Sequence, residues 1–119
     1  MRDFRKIKTF QYADDLAIEA YKPTQKFPKE EIYGLTSQLR RAAVSVAANI
    51  VEGASRQHPK DYLHFLFMAK GSLPEVEYLL GLAVRLGCSA SKDFEPVDLS
   101  AQRAAKTLSG LIQAVRKGI

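Results

Sequence analysis

Five polar side chains recur along one stretch in a pattern that could carry chemistry. Ser37, Arg41, Ser45, Asn49 and Glu52 stand at spacings of four, four, four and three. On a helix those spacings place them on one slowly drifting face. Arg40 lies beside the line and Arg56 just beyond it. Arginines on such a face hold phosphate or carboxylate, with Asn and Glu fixing the geometry. The same residues also suit an interhelical or intersubunit network. There Asn49, inside an apolar seam, sets register, and Glu52 pairs with an arginine from another helix. Both readings stand at this point.

Other chemistries find less support. A carboxylate metal site in a helical bundle draws on Glu-x-x-His pairs. The chain has His58 and His64 but no such pair, so no metal or cofactor is expected. Cys88 has neither histidine beside it in sequence and no local cationic cluster to lower its pKa. It reads as a small, half-buried residue. No nucleophile elbow, Walker loop or dinucleotide fingerprint occurs. An enzyme using Glu52 with Asn49 would need a raised Glu52 pKa inside a pocket. The expectation is therefore a protein that is not an enzyme.

Charge points to partners. The net charge is +5, and it is segregated. Arg2, Arg5, Lys6 and Lys8 cluster at the amino terminus against Asp3 alone. Arg103, Lys106, Arg116 and Lys117 follow one another after Leu99 with no acid among them. Asp14, Asp15 and Glu19 make the first helical stretch acidic. Segregation favours an acidic partner, nucleic acid being the commonest. The candidate nucleic-acid contacts are Arg2, Arg5, Lys6, Lys8, Arg40, Arg41 and Arg56, and the structural polar set is Ser45, Asn49 and Glu52. A protein–protein scaffold with an incidental basic surface is the alternative. MRDFRKIKTF lacks the apolar centre of a secretory signal, and no apolar run reaches the ~20 residues of a membrane span. With a single cysteine, a reducing, cytoplasmic setting is expected.

These side chains must be positioned by helices, because the apolar pattern is helical nearly throughout. A first helix is predicted from about Phe10 to Tyr21, ended by Pro23, and Phe27 is a candidate plug in the connector after it. A second starts near Lys29, with Glu30 and Glu31 in its first turn. Its seam reads Ile32, Leu35, Leu39, Ala42, Val46 and Asn49, widened by Ala43 and Ile50, with Gly53 as C-cap. A third starts at Pro59 and follows Tyr62, Leu66, Ala69, Leu73, Val76, Leu80 and Ala83, with Phe65, Leu79 and Leu86 as a second stripe. Pro74 either kinks this helix or, through the Ser72–Glu75 box, restarts it. The unbroken phase of the seam favours one kinked helix. Gly87 ends it and Cys88 to Glu95 form a polar loop. Pro96 opens a fourth helix along Val97, Ala101, Ala104, Leu108, Leu111 and Val115. Residues 1–119 thus predict one all-α domain, an antiparallel up-down four-helix bundle.

At these residues the chain resembles a known family. SQLRRAAVSVAANIVEG is similar to the signature of the bacterial four-helix-bundle proteins encoded within 23S rRNA intervening sequences. The same family includes the accessory variability protein of diversity-generating retroelements. FPKEEIYGLTSQLRR before the signature, and ASRQHPKDYLHFL and YLHFLFMAKGSLPEVEYLL after it, extend the resemblance over nearly the whole chain. Pro74 departs from the pattern. The resemblance implies an antiparallel four-helix bundle, ring-like homo-pentamers with basic surfaces, and nucleic acid, RNA or DNA, as partner. By likeness to the retroelement member, a reverse transcriptase is a further expected partner. It implies no catalytic residues, and Arg40, Arg41, Asn49, Glu52 and Gly53 mark the motif without assigned roles. Leu63 and Phe67, off the main seam, form a candidate intersubunit patch together with the aromatic excess of the third helix.

Overall fold

Four helices run up and down around one apolar core in the computed structural model, which describes residues 2–119. They are α1 (Lys8–Thr24), α2 (Leu35–Ala54), α3 (Pro59–Arg85) and α4 (Glu95–Lys117). Among the described residues there is no strand. Each helix packs on two neighbours, α1 on α2 and α4, and α3 on α2 and α4. The body measures 46 × 24 × 20 Å. One end carries the start of α1, the α2–α3 turn and the end of α4. The other carries the α1–α2 connector and the α3–α4 loop.

α1 is longer than its predicted span, because Pro23 sits inside the last turn rather than after it. Thr24 follows the proline and turns its hydroxyl back to the carbonyls of Ala20 and Tyr21. The α2 boundary is a clearer correction. Residues Lys29–Glu31 form one 3-10 turn, and α2 begins only at Leu35. Ile32 is therefore outside the seam and 50% exposed. The interruption has a local cause. Glu31 folds its carboxylate back to accept from the Leu35 N–H at 3.0 Å, satisfying one of the free donors of the first turn. A side chain at Gly34 would put its Cβ 2.8 Å from that carboxylate oxygen.

Gly53 is also corrected. It is not a cap: α2 continues to Ala54 and Gly53 is buried within the last turn. A Cβ there would lie 2.9 Å from Phe65 Cβ and 3.0 Å from Tyr62 Cδ1. Glycine lets α2 and α3 close on each other at this corner.

α3 is a single helix through Pro74. Ser72 does not open a new helix: its hydroxyl meets Ser45 Oγ at 2.9 Å. Every residue of the predicted α3 seam is buried. Of the second stripe Leu79 is buried, Phe65 half-buried and Leu86 60% exposed, so the stripe fails at its end. Gly87 closes the helix at φ +77°, with its N–H on Val84 O and the Cys88 N–H on Ala83 O, a Schellman closure. The loop after it is not wholly polar. Ser91–Phe94 form a 3-10 turn, and Phe94, 2% exposed, meets Phe27 edge to face at 6.1 Å. These two rings plug this end of the core. In α4, Ile112 is buried while Leu111 and Val115 are half-buried, so the seam drifts one position from the predicted line.

Candidate nucleic-acid interface

The polar stripe of α2 divides along its length. Near the start of the helix, Arg40 turns toward α1. Its Nε donates to Thr24 Oγ1 at 2.9 Å, and its guanidinium lies 4.4 Å from the Tyr21 ring centroid. Arg41 is exposed and lines the α2–α3 groove with Gln38, Ser45, Ser72 and Glu75. At mid-helix Asn49 Nδ2 donates to the Ser45 carbonyl at 2.9 Å and lies 3.0 Å from Ser45 Oγ. The Ser45–Ser72 contact then carries this network across to α3. Asn49 is half-buried and bonds within its own helix, so the link between helices is made by the two serines.

Glu52 corrects the sequence expectation. It pairs with Arg56 one turn on, at 2.5 Å, rather than with an arginine of another helix. Arg56 also lies 4.7 Å over the Phe65 ring, and its carbonyl accepts from Arg2 Nη1 at 2.7 Å. Arg2 in turn stacks 4.1 Å over Tyr62. Burial pushes the Tyr62 hydroxyl pKa above its ordinary value, while the Arg2 guanidinium pulls it down. So Arg2 and Arg56, far apart in sequence, meet at one corner on two aromatic rings.

The rest of the amino-terminal cluster lies on the 3-10 turn before α1 and on the first residue of that helix. Asp3 caps the 3-10 turn Phe4–Lys6 by accepting from the Arg5 N–H. Arg5 stacks 4.7 Å over Phe4, and Lys8 stands 5.9 Å over Tyr12, as does Arg103 of α4. Lys6 is exposed. Topology brings Lys60, Arg116 and Lys117 to the same end, where Ile119 and His58–Asp61 line one open cleft. Among the described residues, this end gathers Arg2, Arg5, Lys6, Lys8, Arg56, Lys60, Arg116 and Lys117 with Asp3, Glu52 and Asp61 as its acids. The opposite end mixes Lys22, Lys26, Lys29, Arg85 and Lys92 with Glu19, Glu30, Glu31, Asp93, Glu95 and Asp98. Nearly the whole excess of positive charge sits at one end. Arg40 and Arg41 lie toward the other end of α2 and do not join it.

Sequence reasoning missed Tyr62 and Phe65 as supports for the arginines. The signal was present as Arg56 followed by Tyr62 and Phe65, three apart on the next helix. It becomes readable only once the tight α2–α3 turn is known.

The remaining titratable candidates are isolated. His58 is the residue before α3 and makes no side-chain cap, and His64 is exposed, with its ring edge to Phe65. Burial, with Glu31 adding to it, pushes the Cys88 thiol pKa up, away from the thiolate form that a reactive cysteine needs. Among the described residues, no three His, Cys, Asp or Glu side chains gather as a metal would require. No described helix is long and apolar enough to cross a membrane.

Comparisons with known proteins bear on this geometry. Residues 5–110 match the family model described as 23S rRNA-intervening sequence protein. Among solved structures, the fold is similar to a Bacteroides thetaiotaomicron protein of unknown function from the S23 ribosomal protein family. The TM-score is 0.76 at 22% identity, over 87% of this chain and 97% of that one. That likeness bears on the fold alone. No curated protein matches the chain significantly.

Proposed function

From the chain's membership of the 23S rRNA-intervening sequence protein family, we propose that it is a non-enzymatic, oligomeric bundle protein that binds nucleic acid. The observation that carries this reading is the charge segregation. Cations crowd the end built by the amino terminus, the α2–α3 turn and the close of α4. Phosphate is the anion that such a surface meets most often in a cell. The absence of a positioned nucleophile, base or metal set in the sequence motifs supports a binding role over a catalytic one. The single free thiol of Cys88 suits a reducing, cytoplasmic setting.

The test is binding to a structured RNA and to duplex DNA across a salt series. Log affinity should fall linearly with log salt. Each cation removed from the basic end should shallow the slope by about one. Absence of binding at low salt to either polymer would sink the proposal.

A second observation favours self-association as part of the same reading. Phe67, Gly71, Pro74, Tyr78 and Leu82 follow one another along the outer face of α3, and all but Leu82 are exposed. Gly71 and Gly81 have nothing within 4 Å of where a Cβ would stand. Mid-helix glycine costs ~1 kcal/mol against alanine, and among the described residues no close neighbour calls for it here. We read this face as the contact between copies of the chain, with the family resemblance implying a ring of five. Sedimentation across a concentration range tests it. A strictly monomeric mass throughout, or an assembly untouched by Tyr78→Glu, would leave the α3 face without this role. In that case a protein partner, such as a reverse transcriptase, becomes the reading to pursue.

A further inference from the structure

Arg2 and Arg56 are each held by one oxygen and one ring. Arg2 is fixed by the Arg56 carbonyl and Tyr62, and Arg56 by Glu52 and Phe65. A guanidinium carries five N–H donors in a rigid fork. Among the described residues, each of these forks spends one donor on its anchor and keeps the others. Between them opens a cleft of about 630 Å³ lined by Arg2, Ser55, Arg56 and Gln57.

We infer that this cleft is a phosphate clip, in which the two anchored guanidiniums together grip one phosphate group. The inference rests on the nucleic-acid reading of the basic end and sharpens it. Arg5, Lys6 and Lys8 supply diffuse, salt-screened attraction, whereas Arg2 and Arg56 supply a contact of fixed geometry.

The clip also gives work to two motif residues, Glu52 and Gly53, beyond what helix packing asks of them. Glu52 holds the Arg56 fork in place while offsetting part of its charge. Gly53, by leaving no Cβ, admits Tyr62 and Phe65 to the corner where they lie beneath the two arginines. Both act as positioning residues. The short E-G-x-x-R run from Glu52 to Arg56 and the Y-x-x-F start of α3 therefore form one unit.

The experiment uses the full chain and three probes: inorganic phosphate, a single-stranded oligonucleotide with a 5′-hydroxyl, and the same strand with a 5′-phosphate. Backbone amide NMR shifts at 55–57 report the cleft, and fluorescence anisotropy reports strand affinity. Arg56→Gln is expected to abolish the phosphate-induced shifts and to weaken strand binding about tenfold. Arg56→Lys should weaken binding nearly as much, because the charge remains and the fork is lost. Glu52→Gln leaves an oxygen to accept from the Arg56 fork but removes the opposing charge, and should tighten binding. Lys92→Gln, the same charge change at the opposite end, should alter it less than twofold. If Arg56→Gln disturbs folding, as circular dichroism would show, Arg2→Gln carries the same expectation from outside the core.

Equal weakening by Arg56→Gln and Lys92→Gln, or full binding by Arg56→Lys, overturns the clip and leaves the nucleic-acid reading standing. The converse result is also readable. If neither strand binds, yet phosphate shifts the 55–57 amides in an Arg56-dependent way, the clip holds and the nucleic-acid reading falls. A preference for the 5′-phosphorylated strand over its 5′-hydroxyl twin identifies a terminal phosphate as the source, and equal binding identifies the backbone.

Discussion

The two ends of the bundle solve the same problem in different ways. Any bundle must close its core where the helices stop. At the α1–α2 and α3–α4 end, Phe27 and Phe94 are drawn inside and pack edge to face. At the other end, Tyr62 and Phe65 lie beneath guanidiniums, Arg2 over the first and Arg56 over the second. The first closure is apolar and serves the fold alone. The second leaves charge on the outside of the same kind of lid. Aromatic rings at a bundle end are thus a stability device when aliphatic neighbours cover them and a mounting for cations when arginines do.

Substitutions at the two ends should separate these roles. The largest effect is expected for Phe94→Ala, a loss of about 3–5 kcal/mol in urea unfolding, as for other large core aromatics. Nucleic-acid affinity of the folded fraction should not change. A matching loss of affinity would break the contrast between the ends. Gly53→Ala comes next, at about 1–3 kcal/mol, because its Cβ overpacks against Phe65 and Tyr62. Unlike Phe94→Ala it should also weaken strand binding, since both supporting rings must shift. Thermal unfolding and anisotropy on the same sample read the two effects together.

Glu31→Ala removes the carboxylate that accepts from the Leu35 N–H, and should cost about 1 kcal/mol with no change in binding. The smallest effect is expected at Asp98. Burial first, then the Glu77 and Glu95 carboxylates, raise its pKa above the ordinary carboxylate value. A raised folded-state pKa means that the folded chain holds the proton more tightly than the unfolded chain. That contribution is complete below the unfolded pKa and is lost as pH rises through the folded one. Asp98→Asn should therefore raise Tm slightly at pH 7 and leave it unchanged near about pH 3. An Asp98→Asn chain less stable at pH 7 would show that the carboxylate is held by a favourable contact after all.

How much of this was legible in the sequence depended on whether a residue answers to one demand or two. The α3 seam from Tyr62 to Ala83 was fully readable, because burial alone chooses those residues. Phe27 was readable as a plug for the same reason, though its partner Phe94 was hidden in a stretch that looked polar. Ile32 continued the α2 pattern yet lies outside it, because Glu31 and Gly34 set the boundary through a carboxylate that periodicity does not register. Gly53 was ambiguous in principle, since glycine suits a helix cap and a close crossing equally well. Glu52 was recognised as unusual but assigned a partner on another helix, whereas its partner stood four residues on, in the α2–α3 turn. The corner that joins Arg2 to Arg56 depends on a contact between residues 54 positions apart. No local pattern encodes such a meeting.

The lopsided placement of charge also governs how the molecule travels. Its body is 46 Å long, while charges at physiological salt are felt over about 8 Å. Near a polyanion, the cationic tip is therefore pulled while the far end is still screened, and the rod experiences a torque before it touches anything. A single chain that binds nucleic acid as proposed would turn as it drifts and arrive tip first. The rotational search that slows most protein docking is shortened by that alignment, and the gain fades as salt shrinks the reach of the field.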